Sequence, residues 1–556
     1  MTHKTERLRV IPLGGLDEIG KNMTVIEYGN DMIVIDAGIM FPDDDTPGVD
    51  LLLPDYSYIL KRKNKLKGII ITHGHEDHTG ALPYLLKDLG VPVPILGTKL
   101  TLGLIQGKLE EHKLKKAKLR EVKPGGHVNL GVFGLDFIPV NHSIPDGVAV
   151  FVRTPVGNIM HTGDFKLDQT PIDGRFTDYQ AIAKSARQGV MLLMSDSTNA
   201  ESTGHTPSEA VVGVALRDIF QRAEQRIIVA SFASHIHRVQ QVCDAAVAAG
   251  RKIAVTGRSM VNNTRIAREL GYLHIDDKDI IDAYDMGNLP PEDVVVLSTG
   301  SQGEPLSALA RIANADHKTV QLQTGDTVVI SATPVPGNEK AVSRVINRLC
   351  KQGAEVIHKD SALVHVSGHA AAEELKLMLN LVRPQYFVPI HGETRHLYAH
   401  AKLAKATGVL EKNIFILENG SCLEFSEKGA RLAEHVESGV VYVDGLSVGD
   451  VGEVVLRDRQ MLASDGIALV IVAIDAQTGA VAKDAELVTR GLVLGSDTDN
   501  MLSDAQERVA KVLARTAKEG VTDQSVVKKA LRDSLGQFIW ERTRRRPMII
   551  PVVMEV

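Results

Sequence analysis

The chain has 556 residues, 44% of them apolar and 24% charged, with a formal net charge of −6. That length exceeds what one hydrophobic core organises, so several domains are expected. The composition is that of a soluble globular protein, no apolar run is long enough to span a bilayer, and the scattered Cys243, Cys350 and Cys422 exclude a disulfide framework or a cysteine-rich zinc site.

The opening MTHKTERLRV lacks the apolar stretch and small-residue cleavage site of a signal peptide, so the expected compartment is the cytoplasm. Strands are predicted at Met32–Ile35, closing on Asp36, and at Gly68–Thr72, stopping at His73. Further strands run from Asn158 to Thr162, leading to Gly163-Asp164, and from Val190 to Met194, leading to Ser195-Asp196. Polar chemistry at one strand exit after another suggests a site assembled along one sheet edge. A basic cluster, Lys113, Lys115, Lys116, Lys118 and Arg120, begins in a predicted helix. Alone, it reads as a solvated charged face.

From about 210 to 350 strands and helices alternate: strands at Arg226–Ser231, Lys252–Thr256, Asp293–Ser298 and Asp326–Ser331, helices at Val239–Ala249 and from about Glu339. This is the pattern of βαβ units on a parallel sheet. The earlier pattern then returns with a strand at Gln385–Ile390, ending at His391, and another at Asn413–Leu417. Val441–Asp465 is glycine-punctuated without helical period and reads as a linker. The remainder has a strand at Ala468–Ile474, an amphipathic helix from about Asp504, a further helix and a basic run at Arg542, Arg544, Arg545 and Arg546. That suffices for a small α/β domain.

His73-Gly74-His75-Glu76-Asp77-His78 carries the chemistry. His73 and His75 can turn toward one metal from a strand-exit loop, while Asp77 and His78 point elsewhere and suit a second. Imidazole and carboxylate ligands at this density suit Zn²⁺, with Mn²⁺ or Mg²⁺ as alternatives. Further ligands are needed, and His142, Asp164 and His391 each stand at the end of an apolar run.

In this order Asp36, His73-x-His75-x-Asp77-His78, His142 and Asp164 resemble the motif series of the metallo-β-lactamase superfamily. The resemblance implies a first metal held by His73, His75 and His142, a second by Asp77, His78 and a later histidine, and Asp164 bridging both. Asp36 would brace the ligands without binding metal. Asp196 in Ser195–Asn199, His369 in Ser367–Ala370 and His391 in Pro389–Glu393 resemble motifs A, B and C of the β-CASP nucleases, which insert an α/β domain into that fold. His391 then completes the second metal, His369 is catalytic, and Asp196 positions His391 or a neighbouring ligand.

Longer strings resemble the ribonuclease J family along nearly the whole chain: Leu13–Met23, Gly204–Glu209, Ser231–Arg238, Thr299–Pro305 and His365–Ala370. The implied fold is α/β. A metallo-β-lactamase αββα sandwich occupies residues 1–210 and 355–440, with a β-CASP domain inserted at 211–354. A linker at 441–465 and a C-terminal α/β domain at 466–556 follow. The implied activity is two-metal hydrolysis of single-stranded RNA, 5′→3′ from a 5′-monophosphate, with endonuclease activity beside it, in RNA maturation and mRNA decay. Asp77 would orient the attacking hydroxide, and His369 would protonate the leaving 3′ oxygen or stabilise the transition state.

The loops holding Ser234, His235 and His365-Val366-Ser367-Gly368-His369-Ala370 would cradle the 5′-phosphate, although Ser234 and His235 suit helix capping equally well. The family also implies a homodimer, a tetramer as a further assembly, and membership of an RNA-decay complex. The competing readings are a small-molecule hydrolase or DNA-directed nuclease of the same superfold, and a silent RNA-binding scaffold.

Overall fold

A computed structural model describes residues 7–43, 45–304, 306–335, 337–492 and 498–556. Pro305, quoted above in the string from Thr299, and the first six residues lie outside these. The described chain forms two compact units, one comprising residues up to 41 and 51–441, the other 42–50 and 442–556.

Two sheets in the first unit face one another. The eight-stranded sheet runs, in spatial order, Gly429–Leu432, Leu423–Ser426, Leu8–Gly14, Met23–Tyr28, Asp31–Ile35, Leu66–Ile70, Pro94–Gly97 and Lys118–Glu121. The six-stranded sheet runs Tyr386–Ile390, Leu192–Asp196, Ile159–His161, Val148–Arg153, Phe133–Pro139 and His127–Leu130. Val10, Ile26, Ile33 and Ile70 of the first pack with Phe137, Val150, Met194 and Val388 of the second in one buried cluster. Helices Tyr179–Arg187, Ala372–Val382 and Thr394–Ala406 supply Ile182, Leu375, Met378 and Ala404 to the second sheet's other face. Covered on both faces, central strands need continuous apolar runs, which is why Ile33-Val34-Ile35 and Leu192-Leu193-Met194 carry no alternation.

Register brings the chemistry together. Ile35 pairs with Ile70 in parallel, so Asp36 and the Thr72-His73 turn leave the first sheet side by side. Asp196 pairs with Ile390 in parallel, and His161 pairs with Met194, so Asp164, Asp196 and His391 leave the second sheet together. The single sheet edge expected from sequence is therefore corrected to the adjoining ends of two facing sheets.

Inserted in sequence between the two segments of this sandwich is a six-stranded sheet, all parallel, in the order Ile280–Ile281, Lys252–Val255, Val294–Ser298, Ile227–Ala230, Thr327–Ile330 and Glu355–Ile357. Its last strand pairs with Thr327–Ile330, so residues 355–357 go with the inserted sheet and not with the returning sandwich, where the boundary at 354 had put them. Arg238, wholly buried, pins this region: its guanidinium donates to Glu209 and Gln241 carboxyl and amide oxygens and to the carbonyls of Ser331 and Val364.

The second unit has the strand order Val481–Arg490, Ile467–Ile474, Met548–Glu555, with helices Thr498–Lys518 and Gln524–Thr543 beside it. Val470, Val472, Val509, Leu513, Leu531 and Leu535 form its core. Two sequence readings fail here and nearby. Residues 441–465 are not a plain linker, because they carry the helix Glu453–Asp465 and, from Tyr442 on, group with this unit. Only Leu456 of that helix is buried, so no apolar stripe announces it. Residues 414–417 run extended but make a single bridge, Ile414 to Phe387, and no ladder. The first basic cluster follows the helix Lys99–Glu111 and ends in the strand Lys118–Glu121. No helix among the described residues is long and apolar enough to cross a membrane.

Candidate metal centre

The centre begins with a backbone turn. Asp36 has φ +62°, outside the usual range for a side-chain-bearing residue, and its N–H donates to the Ile70 carbonyl at 2.8 Å. Its carboxylate accepts from the Thr72 N–H and hydroxyl, at 2.8 and 2.9 Å, and lies 2.8 Å from His78 Nδ1. Asp36 thus ties together the backbone of Thr72 and the imidazole of His78. Gly38 allows the ligand loop to close: a Cβ there would sit 1.5 Å from the Asp77 carbonyl oxygen.

The seven expected ligands gather into two clusters that share one residue. His73, His75, His142 and Asp164 form the first, and Asp77, His78, His391 and Asp164 the second, with donor atoms in each within 4.8 Å of one another. In the first, His75 Nδ1 lies 3.0 Å from His73 Nε2 and 3.1 Å from His142 Nε2, and Asp164 Oδ2 is 3.7 Å from both Nε2 atoms. In the second, Asp77 Oδ2 is 3.2 Å from His391 Nε2 and 3.5 Å from His78 Nε2, which is 3.2 Å from Asp164 Oδ2.

The outer ring nitrogens are occupied elsewhere. His142 Nδ1 donates to the Gly368 carbonyl at 2.7 Å, His73 Nδ1 meets the Thr72 hydroxyl at 3.1 Å, and His391 Nδ1 meets the Thr198 hydroxyl at 2.8 Å. With its one proton used outward, a neutral imidazole turns a bare lone pair inward. Lone pairs converging with a carboxylate repel one another unless a cation sits among them, so this donor set fits a divalent metal.

Titration behaviour divides the ligands: burial lowers His78 and His391, but the carboxylates around them, Asp164 foremost, raise both above the ordinary range, His391 to about 10. Burial pushes His73 and His142 well below the usual histidine range and His75 to about 4, leaving these imidazoles neutral, as ligands must be. Burial alone would raise Asp77 and Asp164, but neighbouring histidines, His78 and His391 foremost, hold both well below the carboxylate range.

Beside the clusters stands a third group, Asp164, Asp196, His369 and His391. Asp196 Oδ2 is 2.8 Å from His369 Nδ1, while Oδ1 is 3.4 Å from His391 Nδ1. Asp196, expected to position His391 or a neighbouring ligand, thus reaches His391 with one oxygen and makes its shorter contact, with the other, to His369. Burial lowers the His369 pKa, but the Asp196 charge and hydrogen bond raise it more, and the result lies above the ordinary value. The His369 side chain is 19% exposed against 1% for His73, so a substrate can reach it.

The expected phosphate-binding residues divide. His235 accepts the Arg238 N–H at 3.2 Å and so caps its helix, the alternative weighed from sequence. Its Nε2 and the Nδ1 of His365 are nonetheless buried without a hydrogen-bond partner among the described residues. Ser234 is half-buried before the cap. The Ser367 hydroxyl accepts the His369 N–H at 3.1 Å. The side chains of Val366 and Ala370 are buried in hydrophobic clusters, so these two residues can offer a ligand only their backbone. In the Gly300–Gly303 turn, Gln302 accepts the Val335 N–H at 2.6 Å, which makes it a loop clip.

Sequence reasoning missed four supports. Thr72 and Thr198 are named above. Asn22 donates its amide to the Asp77 carbonyl at 3.2 Å and lies equally close to His78 Nε2. His161 Nδ1 accepts the Gly163 N–H at 3.1 Å, fixing the turn that presents Asp164. Asn22 and Thr198 lie inside strings that the sequence singled out, but no spacing rule says which side chain such a string turns inward.

Gly368 offers a direct test of this bracing. A Cβ at Gly368 would lie 2.8 Å from His142 Cε1 and 2.9 Å from its Nδ1. Gly368→Ala should displace the imidazole and weaken metal retention by about 10–100-fold, the usual cost of losing an outer-shell partner. Metal content after graded chelation measures this, and retention equal to the unaltered protein would contradict the bracing role.

Comparison with known proteins places four family descriptions along the chain. "Metallo-beta-lactamase superfamily" matches residues 16–205 and "Ribonuclease J, beta-CASP domain" matches 224–349. "Zn-dependent metallo-hydrolase RNA specificity domain" matches 355–417, and "Ribonuclease J C-terminal domain" matches 454–556. The last match begins within the helix Glu453–Asp465, ahead of the expected start at 466. The chain is 43% identical over 553 residues to ribonuclease J2 of Bacillus subtilis, covering 99% of both chains. It is 44% identical to ribonuclease J of Mycolicibacterium smegmatis, covering 99% of this chain and 97% of that one. To ribonuclease J of Thermus thermophilus it is 43% identical, covering 99% and 96%. Among solved structures, a protein of unknown function from Enterococcus faecalis matches at TM-score 0.53 and 16% identity, over 75% of this chain and all of that one. That last likeness concerns the fold alone.

Proposed function

The chain belongs to the ribonuclease J family, metal-dependent RNA nucleases built on a metallo-β-lactamase fold with an inserted β-CASP domain, and on that premise we propose that it degrades single-stranded RNA 5′→3′ from a 5′-monophosphate. Endonucleolytic cleavage is its second mode. The observation that carries this is the pair of cation clusters sharing Asp164, with the His369–Asp196 pair beside them.

His73, His75 and His142 would hold one cation, Asp77, His78 and His391 the other, and Asp164 both. When bound, two divalent cations supply an activated water at neutral pH and offset charge on the phosphate oxygens. Zn²⁺ suits these donors best. Asp77, 30% exposed and so the most open of the carboxylates, accepts a hydrogen bond from the attacking water and orients it. His369, protonated against Asp196, delivers its proton to the leaving 3′ oxygen. Ser234, His235, His365, Ser367 and the Gly368 backbone receive the 5′-phosphate, supported by two buried imidazole nitrogens without a hydrogen bond among the described residues, His365 Nδ1 and His235 Nε2, the latter 3.5 Å from Glu209 Oε1.

The test uses 5′-monophosphorylated RNA labelled at either end, a matched DNA and added Zn²⁺, Mn²⁺ or Mg²⁺. Mononucleotides should appear from the 5′ end of the RNA. Release from the 3′ end would overturn the polarity, and equal cleavage of DNA would overturn the RNA assignment.

We further propose a cytoplasmic homodimer, able to pair into a tetramer and to join an RNA-decay complex, with the C-terminal unit carrying the association. Ile550, Val552 and Met554 of that unit are exposed on the strand Met548–Glu555 and support the assignment. Truncation after residue 451 should reduce the solution mass to that of a monomer and lower RNA turnover. Unchanged mass by light scattering would exclude this unit as the contact.

A further inference from the structure

Glu374 lies in the first turn of the helix Ala372–Val382 and is 1% exposed. A buried carboxylate persists only where donors surround it, and this one has three, all backbone N–H groups. Its Oε2 accepts from Ala371 at 2.9 Å and from Thr206 at 2.6 Å, and its Oε1 accepts from Leu167 at 2.8 Å.

The Ala371 bond alone would be ordinary capping of the helix start, the half of a capping box in which an acid at the third helical position reaches back. Capping does not call for the other two. Leu167 lies three residues after Asp164, on the loop that presents the shared ligand. Thr206 lies on the loop after Asp196 and donates its hydroxyl to the His369 carbonyl at 2.7 Å. Asn199 donates to the same carbonyl at 3.3 Å. Onward from His369, the Ala372 and Glu373 N–H groups donate to the Ser202 and Gly204 carbonyls, at 2.9 and 3.0 Å. One carboxylate thus registers three loops: that of Asp164, that following Asp196, and that of His369.

Lys166 completes the arrangement from the other side. Its ammonium, in a side chain 2% exposed, lies 3.4 Å from the Ser367 carbonyl, 3.3 Å from the Pro207 carbonyl and 3.7 Å from Asp168 Oδ2. Asp168 in turn accepts the Glu209 N–H at 2.9 Å. The same three chain segments are therefore tied twice, once through a buried anion and once through a buried cation.

We propose that Glu374 is a positioning residue for RNA cleavage, which fixes the backbone of His369 relative to Asp164 and so sets where the imidazole delivers its proton. This rests on the role proposed above for His369. Glutamine has the same shape but presents an amide NH2 where a backbone N–H points, so Glu374→Gln opposes at least one of the three donors. It should lower kcat by about 10–100-fold while KM and the number of cations held stay unchanged.

The decisive experiment is a double-mutant cycle on RNA hydrolysis by the full-length protein. If Glu374 works through His369, then Glu374→Gln introduced into the His369→Ala protein should change kcat by less than about twofold. Equal losses from Glu374→Gln in both backgrounds would overturn the proposal and leave the His369 role intact. A His369→Ala protein with full activity would instead overturn that role. Should Glu374→Gln fail to fold, Thr206→Val, which removes the hydroxyl on the His369 carbonyl, carries the same test. Its smaller loss of kcat should likewise vanish in the His369→Ala background, and its persistence there would count against the proposal.

Discussion

Asp164→Ala protein should hold no more than one cation per subunit and hydrolyse RNA at least about 10⁴-fold more slowly, a larger loss than the roughly 10²–10⁴-fold expected from removing a general acid. Asp164 is the one residue present in all three clusters of metal-type donors among the described residues. Its Oδ2 faces His73 and His142 of the first cluster and His78 of the second, while Oδ1 lies 3.3 Å from His391 Nδ1. Removing it takes away the negative charge that two clusters share, leaving Asp77 as the only carboxylate among six imidazole and carboxylate donors. Two cations near one another then face each other with half the anionic compensation. Asp36→Asn makes the informative contrast, because Asp36 braces His78 without facing a cation and should cost only about 10–100-fold in metal affinity. Metal analysis after dialysis, paired with RNA turnover, distinguishes the two. Two retained equivalents and turnover within tenfold in Asp164→Ala would remove Asp164 from its bridging role.

What could be read from the sequence and what could not follow from the same physics. His73 to His78 are contiguous, so one strand exit and one short helix deliver four donors, and residue type alone reveals them. His142, Asp164 and His391 each close an apolar run, and a run that stops at a polar residue is visible without knowing what it faces. Pairing is different. Asp196 and His369 are 173 residues apart, and only parallel register beside Tyr386–Ile390, with a loop from another segment, brings them to 2.8 Å. Motif spacing could point to either histidine as the partner of Asp196. Val366 and Ala370 show that a string near the site alternates between loop surface and core while looking uniform in sequence. The helix Glu453–Asp465 escaped notice because a helix with one buried side chain has no apolar stripe. Glu374 escaped because its partners are backbone groups, which no residue pattern records.

His369→Ala should lower kcat by about 10²–10⁴-fold with both cations retained, since His369 belongs to neither cluster that shares Asp164 as its bridge. The accompanying pH dependence separates proton delivery from simple packing. In the unaltered protein burial lowers the His369 pKa, and the Asp196 charge with its hydrogen bond more than offsets this. The imidazole consequently holds its proton to higher pH than an ordinary histidine does. Activity that needs the acid form is present below that pKa and falls as pH rises through it. Asp196→Asn removes the charge that chiefly offsets burial, leaving Asp164 as the remaining compensation, so the pKa falls and the acid form becomes scarcer at neutral pH. The alkaline fall in kcat should therefore move to lower pH in Asp196→Asn and be absent from the residual activity of His369→Ala. Because Asp196 also lies 3.4 Å from His391 Nδ1, cation content must be measured alongside. An alkaline limb that stays in place in Asp196→Asn, with both cations bound, would show that the proton reaching the leaving oxygen comes from another group.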